Sequence, residues 1–309
     1  MEFAPLMNKM LVFIIMMVIA WWLARRGVLT PDFTRIASRL VLNVFMTGTI
    51  LSSMISTGEE MGLGNLADVV ILTTVTMVIG YLIAAIVARV VPLSGDHRPV
   101  YELLVAVGNS IFIAMPIAQS LYGPYAVFVC SVSCIPFNAF LYSYGVWRLK
   151  SGSGEVRLHL KEIFSIPLIV TLIGIVIILL RIPVPQAARD VLTTLGGATV
   201  PMSMMVIGAS LGSVTLLDAF KNPKFAVLSV MRLLVIPVIT WAVCRMMTSD
   251  TVLLMTCMLI AAAPCAVIVS VVTMQCSRDA VFASEGVQYS TVCSMITIPL
   301  LIRLLAPLS

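Results

Sequence analysis

The sequence predicts an all-α polytopic membrane protein. Ten transmembrane helices form two inverted five-helix repeats, and helices 4 and 9 are broken and cross near the midplane. Three observations predict this. The chain has 309 residues, 60% hydrophobic and 11% charged, with a mean hydropathy of +1.09. A soluble domain is closer to half apolar and a quarter charged. About ten apolar runs follow one another, each near the ~20 residues a helix needs to cross a bilayer. Two of the runs are interrupted, one by Gly108-Asn109-Ser110 with Pro116, the other by Ala261-Ala262-Ala263-Pro264. A break in hydrocarbon is tolerated only where protein or a water-filled cavity satisfies the exposed N–H and C=O groups. Paired breaks in corresponding positions of two halves point to the substrate site of a transporter.

In order, the spans fall near 6–24, 34–56, 66–90, 99–121, 124–148, 162–181, 189–212, 223–246, 251–276 and 280–305. The first is not a cleaved signal, because Arg25 and Arg26 follow the apolar run whereas a signal carries its positive charge ahead of it. The longest hydrophilic connection, 149–161, opens with Ser151-Gly152-Ser153-Gly154, a flexible linker composition. It separates a first repeat, 1–148, from a second, 162–309. Five spans is an odd number, so the second repeat enters from the opposite face, as inverted repeats do. Asn109 lies ~15 Å past Pro99, and Pro264 ~21 Å past Asp250 on the opposite side. Both breaks therefore sit near the middle of a layer ~30 Å thick. The N-termini of the half-helices there aim partial positive charge at the crossing, where an anion binds.

Charge sets the orientation. Lys9, Arg181, Arg189, Arg245 and Arg303 fall on the side of the termini, and thirteen Lys and Arg residues fall on the other side. Positive loops remain cytoplasmic, so both termini are expected outside a multi-pass membrane protein. The short loops suit a prokaryotic inner membrane. The net charge of +5 is accounted for by loops at the anionic leaflet, which leaves no role for nucleic acid. The seven cysteines all lie in spans, with no metal-ligand spacing. They are read as packing residues, and no metal or organic cofactor is expected. Phosphate-loop, dinucleotide and HExxH motifs are absent from the sequence.

The polar residues inside the spans are the site candidates. Asn109 and Ser110 sit at the first break, and an amide in hydrocarbon must find a partner. They are read as substrate contacts, against interhelical bonding. Pro116 and Pro264 are read as causes of the breaks, and with Cys265 they complete the crossing. Asn43 in the second span is a weaker candidate, as is Gln119. Glu285 lies ~9 Å in from the cytoplasmic face, on a polar stripe with Ser284, Gln288 and Thr291. An intramembrane carboxylate is a functional candidate by default, here for carrying a proton. Arg232 lies ~12 Å in from the same face. It has three readings: an ion pair with Glu285, attraction of a carboxylate substrate, or snorkelling toward the cytoplasmic leaflet. Gly208-Ala209-Ser210-Leu211-Gly212 matches a hydrolase elbow. It ends a membrane span and has no histidine partner, so it is read as close helix packing.

These residues also carry a family resemblance. Gly108-Asn109-Ser110-Ile111-Phe112-Ile113-Ala114-Met115-Pro116, ending at Tyr122-Gly123, is similar to the G-N-T-G-F-x-G-x-P…F-G stretch of the auxin efflux carrier family. Pro201-Met202-Ser203 through Gly208-Ala209-Ser210-Leu211 resembles its P-L-A…G-A-x-L pattern, and Pro264, Gln275, Asp279, Ser290-Thr291 and Pro299 follow its order. Two places depart. Phe45-Met46-Thr47-Gly48-Thr49 stands where the family has L-P-A-L-L-F, and Ser110-Ile111 replaces Thr-Gly. Both lie near the expected substrate path and bear on the substrate rather than the fold. The family includes plant PIN-type carriers and bacterial carriers of malonate and malate. The resemblance implies a fold shared with bile-acid sodium symporters. It implies a moving core of helices 3–5 and 8–10 and a scaffold of helices 1, 2, 6 and 7, working as an elevator, often as a homodimer.

The resulting expectation is a secondary transporter of a small mono- or dicarboxylate, with Asn109, Ser110, Pro116, Pro264, Cys265 and Asn43 at the substrate. Glu285, Arg232 and Gln288 are expected to couple H+ or gate charge. A sodium-coupled symporter of the same fold and a membrane ligand sensor are the alternatives.

Overall fold

The computed structural model describes residues 3–61, 64–151, 164–212 and 220–306. Among these residues the chain is helical, with one isolated backbone bridge and no strand. In chain order the helices are α1 (Phe3–Arg25), α2 (Pro31–Gly58), α3 (Gly64–Val90), α4 (His97–Ala106), α5 (Ser110–Tyr122) and α6 (Pro124–Lys150). They continue as α7 (Ile166–Leu179), α8 (Gln186–Gly212), α9 (Pro223–Arg245), α10 (Thr251–Ala262), α11 (Val267–Gln275) and α12 (Ala280–Leu305). Seven of them (α1, α2, α3, α6, α8, α9 and α12) are long and apolar enough to cross a membrane, and α5, α7 and α10 are shorter apolar helices. Most of the expected linker, from residue 152 onward, lies outside the described residues.

The chain divides into two compact units. One comprises Met1–Val69, Ile111–Cys134 and Ser165–Thr215, the other Val70–Ser110, Ile135–Phe164 and Leu216–Ser309. In the first, small residues set the helix contacts. A Cβ at Gly208 would stand 2.2 Å from the Met17 carbonyl oxygen, and one at Gly212 would stand 2.7 Å from that of Trp21. The elbow-like motif thus lies inside α8, pressed against the backbone of α1. Gly48 and Gly196 bring α2 and α8 equally close, and Thr49 Oγ1 bonds Thr199 Oγ1 at 2.7 Å and the Gly196 carbonyl at 3.1 Å. Close backbone approach and interhelical hydroxyl bonds are what hold helices together where lipid removes the hydrophobic drive.

The second unit is built around two short helices. Every residue of α4 from Pro99 to Ala106 is buried, and so is every residue of α10 from Leu253 to Ala262. A predominantly apolar helix such as α10 belongs in an interior, and α4 carries Glu102 in with it. Phe225 and Leu228 of α9, Leu141 and Leu149 of α6 and Phe282 of α12 pack around them.

Four of the described helices carry a five-residue π turn, at Val41–Phe45, Ser110–Ala114, Leu141–Gly145 and Met231–Val235. Pro116 and Pro237 each follow such a turn by two residues. A proline ring clashes with the carbonyl four residues back, and the wider turn removes that clash. Asn43, Ser110 and Arg232 all sit in π turns, which frequently mark functional positions.

Candidate functional site

The site is the crossing of two chain breaks within the second unit. α4 ends at Ala106, where Val107 turns extended (φ −102°, ψ 110°), and α10 ends at Ala262, where Ala263 does the same (φ −61°, ψ 139°). The two extended segments pair antiparallel, with Gly108 opposite Cys265. The Asn109 N–H donates to the Pro264 carbonyl at 2.7 Å, and the Ala266 N–H donates to the Val107 carbonyl at 3.0 Å. The Cys265 N–H donates to Ser290 Oγ of α12 at 3.1 Å. Each break therefore supplies backbone partners for the other, which is how irregular backbone survives at membrane depth.

Arg232, from the π turn of α9, closes the arrangement and is 3% exposed. Its Nε donates to the Ala263 carbonyl at 2.9 Å, Nη1 to those of Val105 and Ala106 at 3.3 and 3.0 Å, and Nη2 to that of Ile260 at 3.3 Å. These are the last carbonyls of α4 and α10, the negative ends of both half-helices. The Glu285 pairing anticipated for Arg232 is not its anchorage, and neither is snorkelling. A planar guanidinium with five N–H donors can serve several carbonyls at once. Gly108 makes room for it, since a Cβ there would lie 1.6 Å from Nη2, whereas a Cβ on Gly80 of α3 would press on the Ala106 carbonyl at 3.2 Å.

The candidates fall as follows. Asn109 is 9% exposed, Ser110 3% and Cys265 fully buried. The first break falls at Val107–Asn109, upstream of Pro116, so Pro116 does not cause it. Gly108 lies in it, and a Cβ there would stand 1.6 Å from Arg232 Nη2. Pro264 lies in the second break, as anticipated. Glu285 and Gln288 are half-buried on α12, short of Ser290. Much of the polar stripe there bonds its own helix, with Ser284 donating to the Ala280 carbonyl and Thr291 to the Val287 carbonyl. Asn43 and Pro116 belong to the other unit. Asn43 is exposed, and Pro116 is buried.

Glu102 is a further buried charge, outside the candidates named from the sequence. It is 2% exposed in α4, accepts the Tyr144 hydroxyl at 2.5 Å and pairs with Arg148 Nε at 2.8 Å. The signal was present: a carboxylate three residues inside an apolar span is conspicuous by the same logic that singled out Glu285.

A helical membrane protein whose interior holds two paired helix breaks is, by its architecture, a candidate carrier. The family model described as "Membrane transport protein" matches residues 5–302. The chain belongs to this family, the one that the motifs resembled. Among its relatives is an uncharacterised transporter of Methanothermobacter thermautotrophicus, 24% identical over 294 residues, covering 93% of this chain and 94% of that protein. Another, from Methanocaldococcus jannaschii, is 23% identical over 216 residues, covering 66% and 68%. The chain is thus a multi-pass membrane transport protein rather than a hydrolase.

Proposed function

We propose that this protein is a secondary active transporter of a small organic anion, a mono- or dicarboxylate, working by an elevator-type alternating-access mechanism. The observation that carries the reading is the antiparallel crossing of Gly108 and Cys265. In this reading α4 with α5 is the fourth span and α10 with α11 the ninth, and the chain is two inverted five-helix repeats. Helices 3–5 and 8–10 of that scheme move, and helices 1, 2, 6 and 7 support them. Asn109 and Ser110, beside Pro264 and Cys265, hold the carboxylate by amide and hydroxyl donors. The N-terminus of α11 adds its partial positive charge. Glu285, with Gln288 on the same helix, is the candidate for proton coupling. The protein works as a homodimer in an inner membrane, with its termini outside.

The test is a thermal-shift screen of the purified protein against small carboxylates, at two pH values and with or without sodium, followed by uptake and counterflow in sealed vesicles. A carboxylate that stabilises the protein and is taken up supports the reading. Binding without flux under any ion gradient marks a sensor instead. Asn109→Ala should weaken the stabilising ligand while the protein stays folded, and an unchanged affinity removes Asn109 from the site.

A further inference from the structure

We propose that Arg232 is the resident cation of the crossing, holding the position that a dissociable metal ion would otherwise fill. A cluster of backbone carbonyls at half-helix C-termini is the ligand set that broken-helix transporters offer to a coupling Na+, and oxygen donors are what hard cations require. Here the same kind of cluster is occupied by a tethered group. Four carbonyls from both breaks receive the guanidinium at 2.9 to 3.3 Å. Gly108 leaves room for its fork, since a Cβ there would lie 1.6 Å from Nη2. The positive charge meets the negative ends of two helices at once. Since the cation is covalently part of α9, the crossing is assembled in every ionic condition. No sodium is needed there to pair the breaks or to bind substrate beside Asn109. The consequence for coupling rests on the transporter reading, whereas the occupancy of the cage does not.

The experiment separates the two. Full-length protein and Arg232→Ala are purified in detergent. Their unfolding is followed against guanidinium chloride at millimolar, non-denaturing concentrations, with sodium chloride and urea as matched controls. Arg232→Ala should unfold at a lower temperature. Guanidinium, and neither control, should recover most of the loss, with the midpoint rising with the logarithm of its concentration as for any ligand of the native state. Recovery no better than with sodium chloride overturns the proposal. Arg232→Lys covers the case in which the alanine variant does not accumulate. A point-charge ammonium serves fewer carbonyls, so a midpoint below the parent is expected, and one equal to it overturns the proposal. The parent protein should show no sodium-specific stabilisation over choline, and a saturable sodium shift counts against a filled cage. In vesicles, sodium-dependent flux would refute the coupling consequence and leave the transporter reading standing. Absence of any flux would remove the transporter reading and leave the thermal results to decide occupancy.

Discussion

Replacing Gly108 by alanine adds one methyl group where, among the described glycines, a Cβ would come closest to another atom. The new Cβ would stand 1.6 Å from Arg232 Nη2, 2.7 Å from its Cζ and 3.2 Å from the Ala263 carbonyl oxygen. The guanidinium must leave its place, and its carbonyl contacts go with it. A buried polar group left without a partner costs about 1–3 kcal/mol. Losing two of the four therefore costs about 2–6 kcal/mol, and losing all four costs more. A domain holds about 5–15 kcal/mol in total, so Gly108→Ala should fold marginally or not at all. The assay is thermal unfolding in detergent, followed by a thiol-reactive fluorophore, because Cys130, Cys134, Cys257 and Cys265 are buried thiols that unfolding exposes. Gly197→Ala is the control, since nothing lies within 4 Å of its added Cβ. It should be neutral or gain up to about 1 kcal/mol of helix propensity. The mechanism is then isolated by a double-mutant cycle with Arg232→Met. If the cost runs through the guanidinium, Gly108→Ala is far milder when combined with Arg232→Met. A parent-like midpoint for the single variant, or strict additivity in the cycle, refutes the reasoning.

Glu102→Gln should destabilise the protein by about 1–3 kcal/mol, since it strips the charge from a carboxylate serving two donors. The loss is held below the figure for a fully buried pair because the Arg148 side chain is 24% exposed. The pair Glu102→Leu with Arg148→Met should recover part of that loss, as apolar replacement of an ion pair commonly does, measured by the same melt. Gly208→Ala should cost about 1–3 kcal/mol through overpacking against the Met17 backbone, seen as a lower unfolding midpoint. Asp279 caps α12 by accepting the Phe282 N–H at 3.0 Å and meets His97 Nε2 at 3.1 Å. Its carboxyl is held below the usual range, chiefly by the Phe282 amide, with burial opposing and His97 assisting. A depressed carboxyl stabilises the fold above its unfolded value and loses that contribution as pH falls through its folded value. Acid destabilisation should therefore set in below about pH 4 and be shallower in Asp279→Asn, seen as a flatter plot of unfolding midpoint against pH.

Much of the fold was legible because hydrocarbon leaves few options. Long apolar runs marked the helices, and the breaks announced themselves through residues that cannot continue one. Gly108 and Pro264 were readable for that reason. What the sequence concealed is what backbone does. Arg232 binds carbonyl oxygens, and a carbonyl carries no residue identity, so nothing in the letters pointed from Arg232 to Val105, Ala106, Ile260 and Ala263. Glu285 drew the pairing instead, because opposite charges at similar depth are the visible part of the problem. The Glu102–Arg148 pair was hidden by separation, since its members are 46 residues apart and on different helices. The π turns left only a partial trace, in the prolines at 116 and 237 that follow two of them.

The placement of Arg232 also decides which polarity the crossing has left to offer. Two helices end there and one of the described helices of the same unit begins there. A bare crossing would present negative C-terminal carbonyls from α4 and α10 as strongly as positive N–H groups from α11. Arg232 answers the carbonyl side from within the protein, with one charge on four oxygens. The Asn109, Cys265 and Ala266 N–H groups are taken by the Pro264 carbonyl, Ser290 and the Val107 carbonyl. With the guanidinium set against those carbonyls, the N-terminus of α11, whose first residue, Val267, is 54% exposed, adds partial positive charge. A cationic guest would meet a site already holding its own cation, whereas an anion would find the charge it lacks. In the proposed reading, the preference for an anionic substrate would come from the residue that stabilises the break, and neutralising Arg232 should relax that preference along with the fold.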